Sequence, residues 1–197
     1  MLFGSAKEES LENFNKNSAK IEKVEEVEIP DYRAFVLGNK NGRIFYSENM
    51  REKFPLASVT KIMTLLLTYD ALDRGDIKLT DKMTVNEKMV RMGGSKIWMK
   101  KGSEISVEDL IKATAIHSAN NAAYGLAVLV GGTEDNFVEM MNEKARELGI
   151  GNEIEYNTPS GLPPDMTGRG MDRGSALGVY KLALEALHYK EDRKSVV

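Results

Sequence analysis

The sequence predicts an α+β fold: a cluster of helices with one β-hairpin at its N-terminal side. Apolar residues recur at helical spacing, with caps at the ends, across three long stretches after residue 55. Two short β-type runs flank an Asn-Gly pair before those helices begin. The chain has 197 residues, 42% hydrophobic and 29% charged, which is enough for one good-sized core and sets one domain, or at most two small ones, as the expectation.

The elements follow in order. Residues 1–30 form a charged leader rich in Lys, Glu and Asn, whose Leu11, Phe14, Ile21 and Val24 fall at near-helical intervals. That pattern fits either a marginal helix lying on the domain or a solvated segment. Residues 31–197 make the domain proper. In "YRAFVLGNKNGRIFYSE" the runs 33–37 and 43–46 read as two strands, with Asn41-Gly42 favouring a tight hairpin turn. Pro55 suits a helix first turn, Ile62, Met63, Leu66 and Leu67 form a buried stripe, and Gly75 ends that helix. The stretch from "KGSEIS" to "RELG" reads as three consecutive helices, the first capped by Ser106 with Asp109, the third opened by Thr133 and closed by Gly149. "MTG" at 166–168 falls in a loop. The last element, "GSALGVYKLALEALHYK", is a helix with Leu177, Tyr180, Leu184 and Leu187 on one face.

Composition excludes several functions. A net charge of −3 with no dense basic stripe gives no attraction to nucleic acid, so no nucleic-acid partner is expected. Zero cysteines rule out disulfides and thiol catalysis and remove the sulfur ligands of a zinc site. The two histidines, His117 and His188, are too far apart for an HExxH pair and read as ordinary helix or loop residues. No G-x-S-x-G elbow is present, which argues against an ordinary Ser/His/Asp hydrolase. No metal and no cofactor is expected. The first residues carry no secretory apolar core and no stretch reaches membrane-spanning length, so the chain is either cytoplasmic or given without its signal.

Two polar pairs stand out against this background. In "PLASVTKIMTLLL", Ser58 and Lys61 lie three apart at the start of an apolar helix. The bland reading is a polar first turn closing off a buried helix. The chemical reading is a nucleophile with its base: one helical turn brings the amine within reach of the hydroxyl, burial lowers a lysine pKa, and a helix N-terminus stabilises an oxyanion. In "HSAN", Ser118 and Asn120 put a hydroxyl and an amide at a junction between helices, where side chains can face a cleft or simply cap and turn.

Together with "GGSKIWMKKG" and "NTPSGLPPD", these segments closely resemble the D-alanyl-D-alanine carboxypeptidases, low-molecular-weight penicillin-binding proteins of the serine β-lactamase-like superfamily, over residues 32 to 187. The resemblance implies a β-lactamase/transpeptidase-like fold. Position by position it makes Ser58 the acylated serine and Lys61 its base in S-x-x-K. It makes Ser118 the proton relay of the second motif and Asn120 the residue that binds the substrate's peptide amide. It implies a peptidoglycan stem peptide ending in D-Ala-D-Ala as substrate, β-lactam antibiotics as acylating ligands, and a location outside the cytoplasmic membrane. No Lys-Thr-Gly or close variant follows Ser118, so the chain reads as truncated before the third motif, with the C-terminal strands of the usual antiparallel sheet missing. The open sheet edge this leaves is expected to be met either by pairing with another copy or by the remaining helices closing over the hairpin. Two alternatives accompany the peptidase: a non-catalytic peptidoglycan-binding fragment, and a class A-like β-lactamase with Glu153 or Glu155 as deacylating glutamate. Ser118-Ala119-Asn120 in place of Ser-Asp-Asn, and the "NTPSGL" loop, favour the carboxypeptidase. Trp98 is expected to be a packing or rim residue in preference to a substrate platform, and the methionines core filler with some lining an adaptable cleft as the alternative.

Overall fold

The computed structural model describes residues 32–192, with side chains to residue 187. The helix-or-leader expectation for residues 1–30 and the side chain of His188 lie outside the described residues.

Strands β1 (Phe35–Gly38) and β2 (Ile44–Glu48) form the expected antiparallel hairpin. Its turn is wider than the Asn-Gly pair alone. The Asn39 side chain accepts from the N–H groups of Asn41 and Arg43 at 3.0 and 3.1 Å, and Gly42 N–H donates to Asn39 O at 3.1 Å, so Asn39 organises the loop. The strands therefore begin one or two residues later than the β-type runs.

Pro55 departs from expectation. It ends strand β3 (Lys53–Pro55), paired with Arg173, and does not open a helix. A proline without an N–H is tolerated at a strand end as well as in a helix first turn, and local sequence does not separate the two. The helical run starts as a 3-10 turn, Ala57–Thr60, and continues as α1 (Lys61–Arg74) to Gly75.

A second hairpin-like pair, β4 (Lys82–Thr84) and β5 (Glu104–Ser106), flanks the short helix α2 (Glu87–Arg91) and the loop after it. The three expected helices are present: α3 (Val107–His117), α4 (Asn120–Gly131) and α5 (Glu134–Glu147). Their caps act as the residue types require: Asp109 N–H donates to Ser106 Oγ and Asn136 N–H to Thr133 Oγ1, each at 3.1 Å. Strand β6 (Ile154–Glu155) follows. "MTG" is not loop but the end of a one-turn helix, α6 (Pro164–Thr167), closed by Gly168. Strand β7 (Arg173–Ser175) sits between β3 and β6 in an antiparallel sheet, and α7 (Ala176–Asp192) ends the described chain.

The face of α7 is also divided differently. Its most deeply buried residue is Leu182, with Val179 and Ala186 packed on the same core, and Leu187 is exposed. Tyr180 and Leu184 turn to the hairpin, where Tyr180 Oη donates to Asn39 O at 2.7 Å. The helix is thus shared between the core and the hairpin.

Two apolar clusters fill the interior. One gathers Met89, Val107, Leu110, Ala122 and Leu126; the other gathers Leu56, Met63, Phe137, Met141, Ile154 and Leu182. Helix α1 gives Met63 and Leu66 to the second cluster and Ala71 to the first. Helix α4 likewise contributes to both, through Ala122 and Ala127. These two helices, buried along most of their length, carry the candidate residues at their N-terminal ends. No described helix is long and apolar enough to cross a membrane.

Candidate active site

Ser58 lies exposed in the 3-10 turn, and Lys61 lies beneath it, 3% exposed. Lys61 Nζ donates to Ser58 Oγ at 3.0 Å and to Ser160 O at 2.7 Å. Burial pushes the Lys61 ammonium down to about 8, against the opposing pull of the Asp172 carboxylate. A hydroxyl facing solvent is thus coupled to an amine that sheds its proton near pH 8, well below an ordinary lysine.

Residues the sequence did not single out hold this pair. Asp172, 1% exposed, accepts from Thr158 N–H at 2.9 Å, Thr158 Oγ1 at 2.6 Å and Thr60 Oγ1 at 3.3 Å, and also from the Asn157 N–H. Burial raises its pKa, and these hydrogen bonds work against that rise. Thr64 Oγ1 donates to Pro159 O at 2.6 Å. The segment 157–161 is thereby bolted to the first turns of the helix that carries Lys61. Gly161, at φ +79°, passes so close to Ala57 that a β-carbon there would stand 1.8 Å from Ala57 O. Only glycine fits that approach. Ala57 itself has φ +46°, a strained conformation for a residue with a β-carbon, immediately before Ser58.

Ser118 caps α3 in the left-handed conformation, φ 53°, and its Oγ is buried without a hydrogen-bond partner. Asn120, 4% exposed, donates from Nδ2 to Gly93 O at 2.9 Å and from its backbone N–H to Ser95 O at 2.7 Å. A β-carbon on Gly94 would lie 2.7 Å from Asn120 Nδ2 and 3.3 Å from a Leu162 methyl. The two pairs are therefore linked through residues 160–162: Ser160 touches Lys61, Gly161 touches Ala57, and Leu162 approaches Gly94 beside Asn120. A cavity of about 290 Å³ opens beside this junction, lined by Gly93, Ser160, Leu162 and Met166 with Lys88 and Arg91 at its wall.

Neither glutamate of the β-lactamase alternative lines the cavity beside Ser160. Glu153 is committed to Ser175 Oγ at 2.6 Å and to Arg51, and Glu155 lines a separate polar cavity with Lys53 and Arg146. Among the described residues no cluster of three or more His, Cys, Asp or Glu is placed to hold a metal ion.

The sequence matches the D-alanyl-D-alanine carboxypeptidase family model over residues 19–195. The chain belongs to this family. It is 41% identical over 129 residues to the D-alanyl-D-alanine carboxypeptidase DacF of Bacillus subtilis, covering 66% of this chain and 33% of that protein. Its fold is similar to the crystal structure of the carboxypeptidase DacD from Francisella tularensis, with TM-score 0.75, 29% identity and coverage of 84% of this chain and 38% of that one. It is also similar to penicillin binding protein 5 from Haemophilus influenzae, with TM-score 0.74, 28% identity and coverage of 83% and 47%. The fold is thus the β-lactamase/transpeptidase-like one. The chain spans about a third of the length of the curated relatives it matches.

Proposed function

We propose that this carboxypeptidase-family chain carries the acylating half of a serine D-alanyl-D-alanine carboxypeptidase site that acts on peptidoglycan stem peptides. The observation that carries the reading is the 3.0 Å contact from Lys61 Nζ to Ser58 Oγ, with Lys61 buried and its pKa pushed down to about 8. Lys61, as the neutral amine, takes the Ser58 proton while Oγ attacks the carbonyl carbon of the penultimate D-alanine. The C–N bond to the terminal D-alanine breaks, and the proton passes through Ser118 to the leaving nitrogen. Water then attacks the ester, releasing the shortened peptide and restoring Ser58. The first N–H groups of the helical run, that of Ser58 among them, face the developing oxyanion. The uncommitted, buried hydroxyl of Ser118 suits a group that must accept and donate in turn. Asn120 holds the peptide amide. A β-lactam acylates the same serine, and the name of the Haemophilus relative supports that ligand. The substrate places the working protein on the outer side of the cytoplasmic membrane.

The test is incubation of the purified chain with a fluorescent penicillin, read by intact mass. A stoichiometric adduct is expected, absent in Ser58→Ala. A folded protein that forms no adduct overturns the acylation reading and leaves a peptidoglycan-binding role.

A further inference from the structure

Trp98 is the only tryptophan of the chain, and its residue is 87% exposed. A ring of that size left in water forfeits a large share of the burial free energy that aromatic residues usually supply. Of the expected packing or rim roles, packing is therefore not the one it fills here. A loose loop does not account for the exposure either. Ile97, just before it, has both backbone groups held by one side chain: its N–H donates to Asn121 Oδ1 at 3.2 Å, and its carbonyl accepts from Asn121 Nδ2 at 2.8 Å. Asn121 is itself 1% exposed. Met99, just after it, is 8% exposed and belongs to the first core cluster. The backbone is pinned on both sides and the ring is presented outward, the arrangement of a preorganised contact.

The position of that ring gives it a partner. Ser95, three residues before Trp98, accepts the Asn120 N–H, and Gly93 accepts the Asn120 amide. A span of three residues covers at most about 10 Å, so the ring lies within one sugar or two of the cleft wall. Lys96 and Lys100 flank it in sequence and are exposed, while Arg91 and Lys101 further out are both paired with Glu87. Ile97 and Met99 turn inward, so the loop offers one flat ring among cations and no apolar stripe of the kind a lipid surface takes up.

We propose that Trp98 is a stacking platform for the N-acetylated sugar chain of peptidoglycan, which it holds beside the cleft while a stem peptide of the same polymer enters. The inference rests on the substrate class proposed above. A pyranose presents a face of C–H bonds that fits the electron-rich face of an indole, and the stem peptides carry carboxylates that the exposed Lys96 and Lys100 attract. The loop thus selects polymer over free peptide.

Because Trp98 is the sole tryptophan, its own fluorescence reports the event. The full chain is titrated with peptide-free glycan strands, with free stem peptide, and with phosphatidylglycerol–phosphatidylcholine vesicles. Glycan strands are expected to shift the emission to the blue. In sacculus pelleting, Trp98→Ala is expected to bind about tenfold more weakly, with Trp98→Tyr restoring most of the loss. Circular dichroism melting shows that each variant is folded. A shift given by vesicles and not by glycan, a response to stem peptide alone, or no response to glycan overturns the platform. The penicillin adduct is scored separately on the unsubstituted chain. Glycan stacking without an adduct removes the peptidase and keeps the platform, and an adduct without a glycan response does the reverse.

Discussion

At the scale of the residue, the proposed chemistry turns on how one buried amine is tuned. With its pKa near 8, about a tenth of Lys61 is neutral at pH 7, against about one part in three thousand at an ordinary lysine value. If Lys61 is the base as proposed, acylation of Ser58 by penicillin should therefore rise with pH and level off above about 8, since only the neutral amine accepts the proton. The Asp172 carboxylate holds the ammonium up, so Asp172→Asn should move the midpoint of that profile to lower pH. Stopped-flow acylation across about pH 6 to about pH 9 checks both, and a flat profile removes Lys61 as the base. Ser58 and Lys61 were legible in the sequence because a helix places residues three apart on one face. Asp172 was not: it reaches Thr60 across a sequence separation of 112 residues, and nothing near it in the chain marks its destination. Ser160 was hidden for a second reason, since it acts through a backbone carbonyl that every residue possesses.

At the scale of the element, long helices were readable and short strands were not. Helices α3 and α5 announce themselves by cap residues and by a period sustained over 11 and 14 residues, and α4, whose N-cap is an alanine, by a near-continuous run of small and apolar residues. Strands β3, β6 and β7 run for two or three residues each, too short for any alternation to register. Yet those strands, with the segment 157–161 between them, fix the turn that carries Ser58. The tightest point of this arrangement is Gly161 against Ala57. Gly161→Ala adds a β-carbon 1.8 Å from Ala57 O at a φ of +79°, so the segment must withdraw and release the strained turn before Ser58. A destabilisation of about 2–4 kcal/mol in urea unfolding is expected. The same variant should lose most penicillin adduct under conditions where it remains folded. Gly168→Ala, also at positive φ but with nothing within 4 Å, separates backbone strain from the lost approach. If Gly168→Ala and Gly161→Ala fall equally in adduct formation, the contact with Ala57 is not what positions Ser58.

At the scale of the whole molecule, the candidate site belongs to no single core. Helices α1 and α4 cross between the two apolar clusters, and each delivers one motif at its N-terminal end, so the spacing of the motifs is set by helix packing deep inside. The hairpin is the part least covered by this plan. Helix α7 supports it through Tyr180 and Leu184, but Leu37, Phe45 and Tyr46 are 58%, 56% and 61% exposed. Leu37 and Tyr46 stand opposite each other in the register, so their exposed side chains form one apolar patch on the hairpin face. Such a patch is self-complementary about a two-fold axis. We therefore propose that the 197-residue chain pairs with a second copy through this exposed hairpin face. Light scattering after size exclusion should show a mass that rises with loading concentration toward that of a dimer. Leu37→Lys, which places a charge on that exposed strand and disturbs no buried contact, should return the chain to monomer with its melting temperature nearly unchanged. A strict monomer at every concentration sinks the pairing. It would mean that the cover α7 gives the hairpin through Tyr180 and Leu184 leaves too small an apolar patch at Leu37 and Tyr46 to hold two copies together.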